Sequence, residues 1–155
     1  YNYERKQKRG SLGAEMAAKS TLIDYIRWRI GPDGPKVISN YQTHYVGNPL
    51  QRKPNPVIDF DIFSNAIKRI RQDDVLVGTV EKFDQSFAYF SRRFKEFFPE
   101  YEFAYKKKNV SNSDDSRKKY VNSLEKLRDV LPELLQSNIW DLALHDEVSR
   151  MVDSY

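Results

Sequence analysis

The chain has 155 residues, 39% of them apolar and 14% aromatic, enough for one domain to bury a core. It contains no cysteine, which excludes disulfides and thiolate metal sites and fits a reducing, cytoplasmic setting. Net charge is +4, from 26 basic and 22 acidic residues, so an anionic partner is only weakly favoured and most of the charge solvates surfaces.

Residues 1–9 (YNYERKQKR) read as the tail of a helix ended by Gly10 and Gly13. They hold neither an initiator Met nor a capping residue, so the chain is expected to begin part-way through a longer protein. Thr21 and Asp24 have the spacing of a capping box, and Leu22, Ile23, Ile26 and Ile30 predict a helix up to Gly31. The segment GPDGP (31–35) is a loop, because its prolines and glycines oppose helix and strand alike. A short helix is expected from about Val37 to Tyr45, with Gly47 as its stop, followed by a long proline-bearing connection, 48–56, of the kind that often carries function.

Asp59 or Asp61 is placed to cap a helix with Phe60, Phe63, Ile67 and Ile70 along one side. The run Val75-Leu76-Val77-Gly78-Thr79 is apolar at almost every position, the pattern of a strand buried on both faces in an open α/β sheet. Residues at the end of such a strand, here Glu81 and Phe83, face the crevice where α/β proteins bind ligands. One buried strand cannot stand alone, so the rest of its sheet is expected outside these residues. Phe83, Phe87, Phe90, Phe94 and Phe97 recur at helical spacing as a core-facing stripe, and Pro99 ends that helix. Glu100 to Tyr105 is expected as a short edge strand and KKKNVSNSDDS (106–116) as polar loop. Tyr120, Leu124, Leu127 and Leu131 predict an amphipathic helix broken near Pro132. Asn138 and Asp141 then cap a terminal helix bearing Trp140, Leu144, Val148 and Met151. There is no long apolar run and no leader-like segment, so no transmembrane segment is expected.

Few residues carry chemistry on their own. His44 and His145 are the only histidines, about a hundred residues apart in sequence and without matched carboxylates, so no metal site is expected. His44, on the polar face of NYQTHY, has the titration range of a general base; a plain helix-surface histidine is the alternative. His145 reads as structural. Neither a nucleophile elbow nor a glycine-rich phosphate cradle of dinucleotide or Walker type is present. In the loop Lys106 to Ser113, ammonium groups and Asn and Ser side chains offer charge and hydrogen bonds to a phosphate, though a solvated loop is the simpler reading. Asn109-Val110-Ser111 also matches the glycosylation sequon, which needs a secretory context.

Taken together, VGTVEKFDQSFAYFSRRF (77–94), YKKKNVSNS (105–113) and LPELLQSNIWDLALHDEV (131–148) resemble the C-terminal half of a sulfotransferase domain. The family is the membrane-associated and carbohydrate type that uses 3′-phosphoadenosine 5′-phosphosulfate (PAPS). Four of its elements occur here in order: Val77-Gly78; Glu81, Phe83, Asp84 and Ser86; Lys107, Asn109 and Ser111; and Asn138, Asp141 and Leu144. Upstream the likeness is looser. Tyr1 to Arg5 is similar to the helix just past the family's 3′-phosphate grip, and the 5′-phosphosulfate loop is not in these residues. The resemblance implies a P-loop-like, three-layer α/β fold, with residues 1–155 as the C-terminal part of one such domain. It implies sulfuryl transfer from PAPS to an acceptor hydroxyl, with carbohydrate as the expected acceptor and no nucleic-acid partner. Lys106, Lys107, Asn109 and Ser111 would hold the nucleotide, with Glu81 and Phe83 near the adenosine. His44 would be the catalytic candidate, and Arg5, Lys6 and Gln42 would lie on the acceptor side. An upstream anchor would move the setting from cytoplasm to Golgi lumen. Two other classes stand beside it: a non-catalytic helical interaction module, and a basic nucleic-acid-binding domain whose affinity would fall steeply with salt.

Overall fold

The computed structural model describes residues 2–6, 10–35, 38–48, 57–102, 104–105, 125 and 127–155. They form helices α1 (Asn2–Arg5), α2 (Leu12–Lys19), α3 (Leu22–Ile30), α4 (Tyr41–Gly47), α5 (Phe60–Ile70), α6 (Phe83–Phe97), α7 (Leu131–Ser137) and α8 (Ile139–Asp153). Among the described residues there is no strand and no sheet, which overturns the expected α/β, three-layer architecture. The described residues fall into two compact units, one within 1–41 and 111–139, the other within 42–53, 57–110 and 140–155.

In the first unit, short polar side chains start the helices. Ser11 Oγ accepts the Ala14 N–H (3.2 Å) at the start of α2. Thr21 Oγ1 accepts the Asp24 N–H (3.2 Å) and donates to the Asp24 carboxylate (2.6 Å), the capping box the sequence predicts. Helix α2 was not legible: Gly13, read as a stop, lies inside its first turn. With Ala14 and Ala17 it makes a small-residue face that other groups approach closely. Glu4 and Arg29 occupy that space. The Tyr25 hydroxyl donates to Glu4, Arg29 Nη2 pairs with Glu4 Oε1 at 2.5 Å, and Arg29 Nε donates to the Tyr25 oxygen at 2.7 Å. Arg29 is buried, and its guanidinium also lies 4.9 Å from the centre of the Trp28 ring. A charge this buried persists only because each of these groups partners it. Pro132, where the sequence predicts a break, follows a turn at 128–130 and sits in the first turn of a new helix, α7, where its missing N–H would be unpaired anyway. Arg27 and Glu133 then tie α3 to α7 (2.9 Å). The helix expected over 120–131 lies mostly outside the described residues.

In the second unit the core is Ala66 and Ile70 of α5 against Leu144, Val148 and Val152 of α8, with Phe63, Ile67, Val77 and Met151 packed around them. Asp59 caps α5 by accepting the Ile62 N–H (3.0 Å). Helix α4 runs later than expected, and its first turn is capped across the unit. Asp141 on α8 accepts the Gln42 and Thr43 N–H groups at 3.0 and 2.7 Å, so this carboxylate serves a neighbouring helix.

Val75 to Thr79 forms no strand and pairs with none among the described residues; Val77 packs on the core while Leu76 and Gly78 line cavities against α6, and Val75, Leu76 and Val77 are only half-buried. The Glu100–Tyr105 edge strand is likewise not formed among the described residues. Helix α6 forms where the phenylalanine periodicity places it, but the stripe is not core. Phe83, Phe94 and Phe97 are exposed, and the only buried residue of the helix is Ser86. The helical spacing holds, but among the described residues little covers the stripe. Among the described residues no helix is long and apolar enough to cross a membrane.

Candidate functional site

A small concavity in the second unit lies where the segment after α5 turns into α6. Ser86 organises this turn. Its Oγ accepts the Thr79 N–H (3.2 Å) and donates to the Lys82 carbonyl (2.9 Å), while the Lys82 N–H donates to Thr79 Oγ1 (3.3 Å). Gly78 passes so close to this serine that a Cβ would meet Ser86 Cβ at 2.5 Å and the Phe90 ring at 3.0 Å; only glycine permits the approach. The result is a cavity of about 200 Å³ bounded by Gly78, Thr79, Val80, Phe83, Phe87 and Phe90. An aromatic rim continues it. Phe83 and Phe87 stack at 6.0 Å, Tyr105 meets Phe87 edge-on at 4.5 Å, and the Tyr105 hydroxyl donates to Asp84. The walls suit a flat apolar ring better than a charged group.

Beside the cavity, Glu81 points outward to α8 and lies 3.1 Å from Nε2 of His145. The hydrogen bond from His145 holds the Glu81 carboxyl below the usual carboxylate range, with the Glu81 backbone N–H and the His145 charge acting in the same direction. When the ring is neutral with its proton on Nε2, this contact leaves Nδ1 as the lone-pair nitrogen, an imidazole held in place to accept a proton. Lys82 is committed elsewhere: its ammonium pairs with Asp153 (2.6 Å) and donates to the Ser149 carbonyl (3.0 Å).

The residues singled out in the sequence are distributed unevenly. Phe83 lines the cavity, and Glu81 is two residues away, facing His145. Gln42 is exposed on α4 and its backbone N–H is held by Asp141. His44, on the same helix, is half-buried, and its Nδ1 is fully buried with no hydrogen-bond partner, a poor position from which to meet a substrate proton. Arg5 and Lys6 are exposed at the end of α1, in the first unit. Lys106, Lys107, Asn109 and Ser111 lie outside the described residues. No group of three or more His, Asp or Glu side chains among the described residues could hold a metal ion.

The Glu81–His145 pair is what sequence reasoning missed. Glu81 is marked by its place after the apolar run, but its partner lies 64 residues away and no local spacing marks His145. No protein-family model matches this chain, and no curated protein or solved structure matches it either.

Proposed function

We propose that this chain contributes to a sulfuryl-transfer site. The acceptor oxygen attacks the sulfur of PAPS, the bond between sulfur and the 5′-phosphate oxygen breaks, and the hydroxyl proton passes to a base. A carbohydrate hydroxyl is the acceptor class the resemblance favours. The observation that carries the reading is that two of the resembling stretches meet. Gly78, Phe83 and Ser86 share one aromatic cavity, and Glu81 of the same stretch holds His145 of the closing stretch.

In this reading the cavity takes the adenine ring, and Lys106, Lys107 and Asn109, which fall in the same unit, hold the phosphates, whose growing negative charge fixed cations stabilise. Gln42, in the same unit as the cavity, is the acceptor-side residue. His145, oriented by Glu81, replaces His44 as the base, because the His44 Nδ1 is enclosed. The reading requires a phosphosulfate loop that these 155 residues do not contain, and it does not call on a sheet within the described residues.

Calorimetric titration with 3′-phosphoadenosine 5′-phosphate tests it. Saturable binding is expected, weakened about tenfold or more when Lys107→Ala and Asn109→Ala remove a charge-assisted contact and its hydrogen-bonding neighbour. No binding, or binding indifferent to both changes, overturns the assignment. A second reading, a non-catalytic helical interaction module, is favoured by the exposed aromatic face of α6. It requires the opposite result: no nucleotide binding, and a partner complex whose population rises with concentration.

A further inference from the structure

The extended segment between α5 and α6 has a property that neither functional reading uses. Leu76, Val77 and Gly78 make no backbone hydrogen bond among the described residues. The nearest ones are Val75 N–H to the Gln72 carbonyl (3.0 Å) and Thr79 N–H to Ser86 Oγ (3.2 Å). Val75, Leu76 and Val77 are half-buried. Partly buried backbone groups without partners are costly, and a row of them in a run whose residues alternate between core (Val77) and α6 cavities (Leu76, Gly78) is a template for another strand.

The flanks of this segment are shaped to match. One cavity, about 200 Å³, opens beside Gly78 between Phe83, Phe87 and Phe90. A second, about 350 Å³, opens beside Leu76 between Phe94, Phe97 and Phe98. Leu76 and Gly78 are two residues apart, and alternate side chains on an added strand would recur at about 6.6 Å on one face. Asp73 and Asp74 stand at the mouth of the second cavity, exposed and with no ion pair among the described residues. The neighbouring Arg93 is already matched, pairing with Glu96 at 2.6 Å and donating to the Asp73 carbonyl at 3.2 Å. Arg71 and Arg92, which share a further cavity with Asp73, are engaged as well, with Glu147 (2.6 Å) and the Tyr155 carbonyl (3.1 Å), so Asp73 and Asp74 are the carboxylates left facing the groove.

We propose that Val75–Thr79 is a docking edge for an extended strand of a partner polypeptide, apolar at alternate positions and carrying lysine or arginine where it meets Asp73 and Asp74. Main-chain hydrogen bonds supply the pairing, and the two aromatic cavities read alternate side chains. A second copy of this chain fits poorly. An antiparallel pair centred on Val77 sets Asp73 opposite Glu81, and a parallel in-register pair sets Asp73 beside Asp73; both juxtapose like charges. The proposal does not depend on sulfuryl transfer; a docked strand and an adenine ring would compete for the cavity beside Gly78.

The probe is the peptide acetyl-Lys-Val-Thr-Val-Thr-Val-Lys-amide, basic at both ends so that either strand direction is covered. Its controls are the analogue with glutamate at both ends and a version N-methylated at alternate amides. Fluorescence anisotropy should show the lysine peptide binding about tenfold more tightly than the glutamate peptide, and the N-methylated peptide not binding. At saturation, amide hydrogen exchange should slow at Leu76 or Gly78. Asp73→Asn with Asp74→Asn should abolish the lysine preference, and Phe97→Ser, at an exposed position, should weaken both peptides alike. Equal binding of the N-methylated peptide, equal binding of the lysine and glutamate peptides, or unchanged exchange at 76–78 would overturn the proposal. So would a concentration-dependent homodimer that protects those amides, since the occupant would then be a second copy.

Discussion

Helices α5 and α6 belong to the same unit and carry similar stripes: Phe60, Phe63, Ile67 and Ile70 on one, Phe83, Phe87, Phe90, Phe94 and Phe97 on the other. Their fates differ. Ile70 is 2% exposed, closed against Leu144, Val148 and Val152 of α8, whereas Phe97 is 71% exposed. The difference lies in what opposes each stripe. Helix α8 offers α5 a row of medium-sized aliphatic side chains at helical spacing, so the two surfaces interdigitate and exclude water. Helix α6 is longer and richer in aromatic area, yet its nearest extended neighbour, Val75–Thr79, gives it a glycine at the point of contact and little else. Apolar area stabilises only where a second surface removes it from water.

The sharpest way to break this comparison is to truncate one residue on each side of it. Leu144→Ala should cost about 3 kcal/mol, from lost burial and the cavity left behind. Phe97→Ala should change stability by about 0.5 kcal/mol or less, as exposed substitutions do. Urea unfolding of the two variants measures both; similar losses would mean that the α6 face is covered after all.

A polar closure extends the comparison to the first unit. There Glu4 and Tyr25 close over Arg29 where α8 closes over α5. Glu4→Ala should cost about 2 kcal/mol, below the usual range for a broken buried pair because Glu4 is partly exposed. Glu4→Gln, which keeps the acceptor, should cost visibly less in the same unfolding assay. Next comes the cross-helix cap. Asp141→Ala removes the acceptor for two N–H groups of α4 and should cost about 1 kcal/mol, with the loss of helical ellipticity confined to a short segment.

The smallest effect is the pH response of Glu81. His145 depresses its carboxyl pKa in the folded state, so its stabilising contribution is present above the ordinary carboxylate range and is lost as pH falls through the lowered folded value. Unfolding midpoints of the parent and Glu81→Gln proteins should therefore converge in acid and separate slightly towards neutral pH. A gap that widens on acidification would contradict the pairing.

What the sequence disclosed follows from the range of each interaction. The caps at Thr21 and Asp59 were legible because a cap is decided within three residues. The positions of α3, α5 and α6 were legible because their periodicity lies within a few turns. Helix α2 was hidden because Gly13, usually a stop, is used for a close approach by Glu4 and Arg29. The α/β reading failed at Val75–Thr79 because an apolar extended run fixes its own conformation but not the presence of a neighbouring strand. At the candidate site, Phe83 follows that run directly in sequence, while His145 and Asp141 act on partners 64 and 98 or more residues away, which spacing cannot reveal.

The most direct measurement of the contrast between the two faces is residue-resolved amide hydrogen exchange on the unliganded chain. The amides of Leu76, Val77 and Gly78 should exchange on the order of a hundredfold faster than those of Ala66 to Ile70, because the former have no backbone partner and the latter are hydrogen-bonded in a helix anchored by buried Ala66 and Ile70. Equal protection of the two segments would contradict it, since the extended run would then already be paired and α6 already covered.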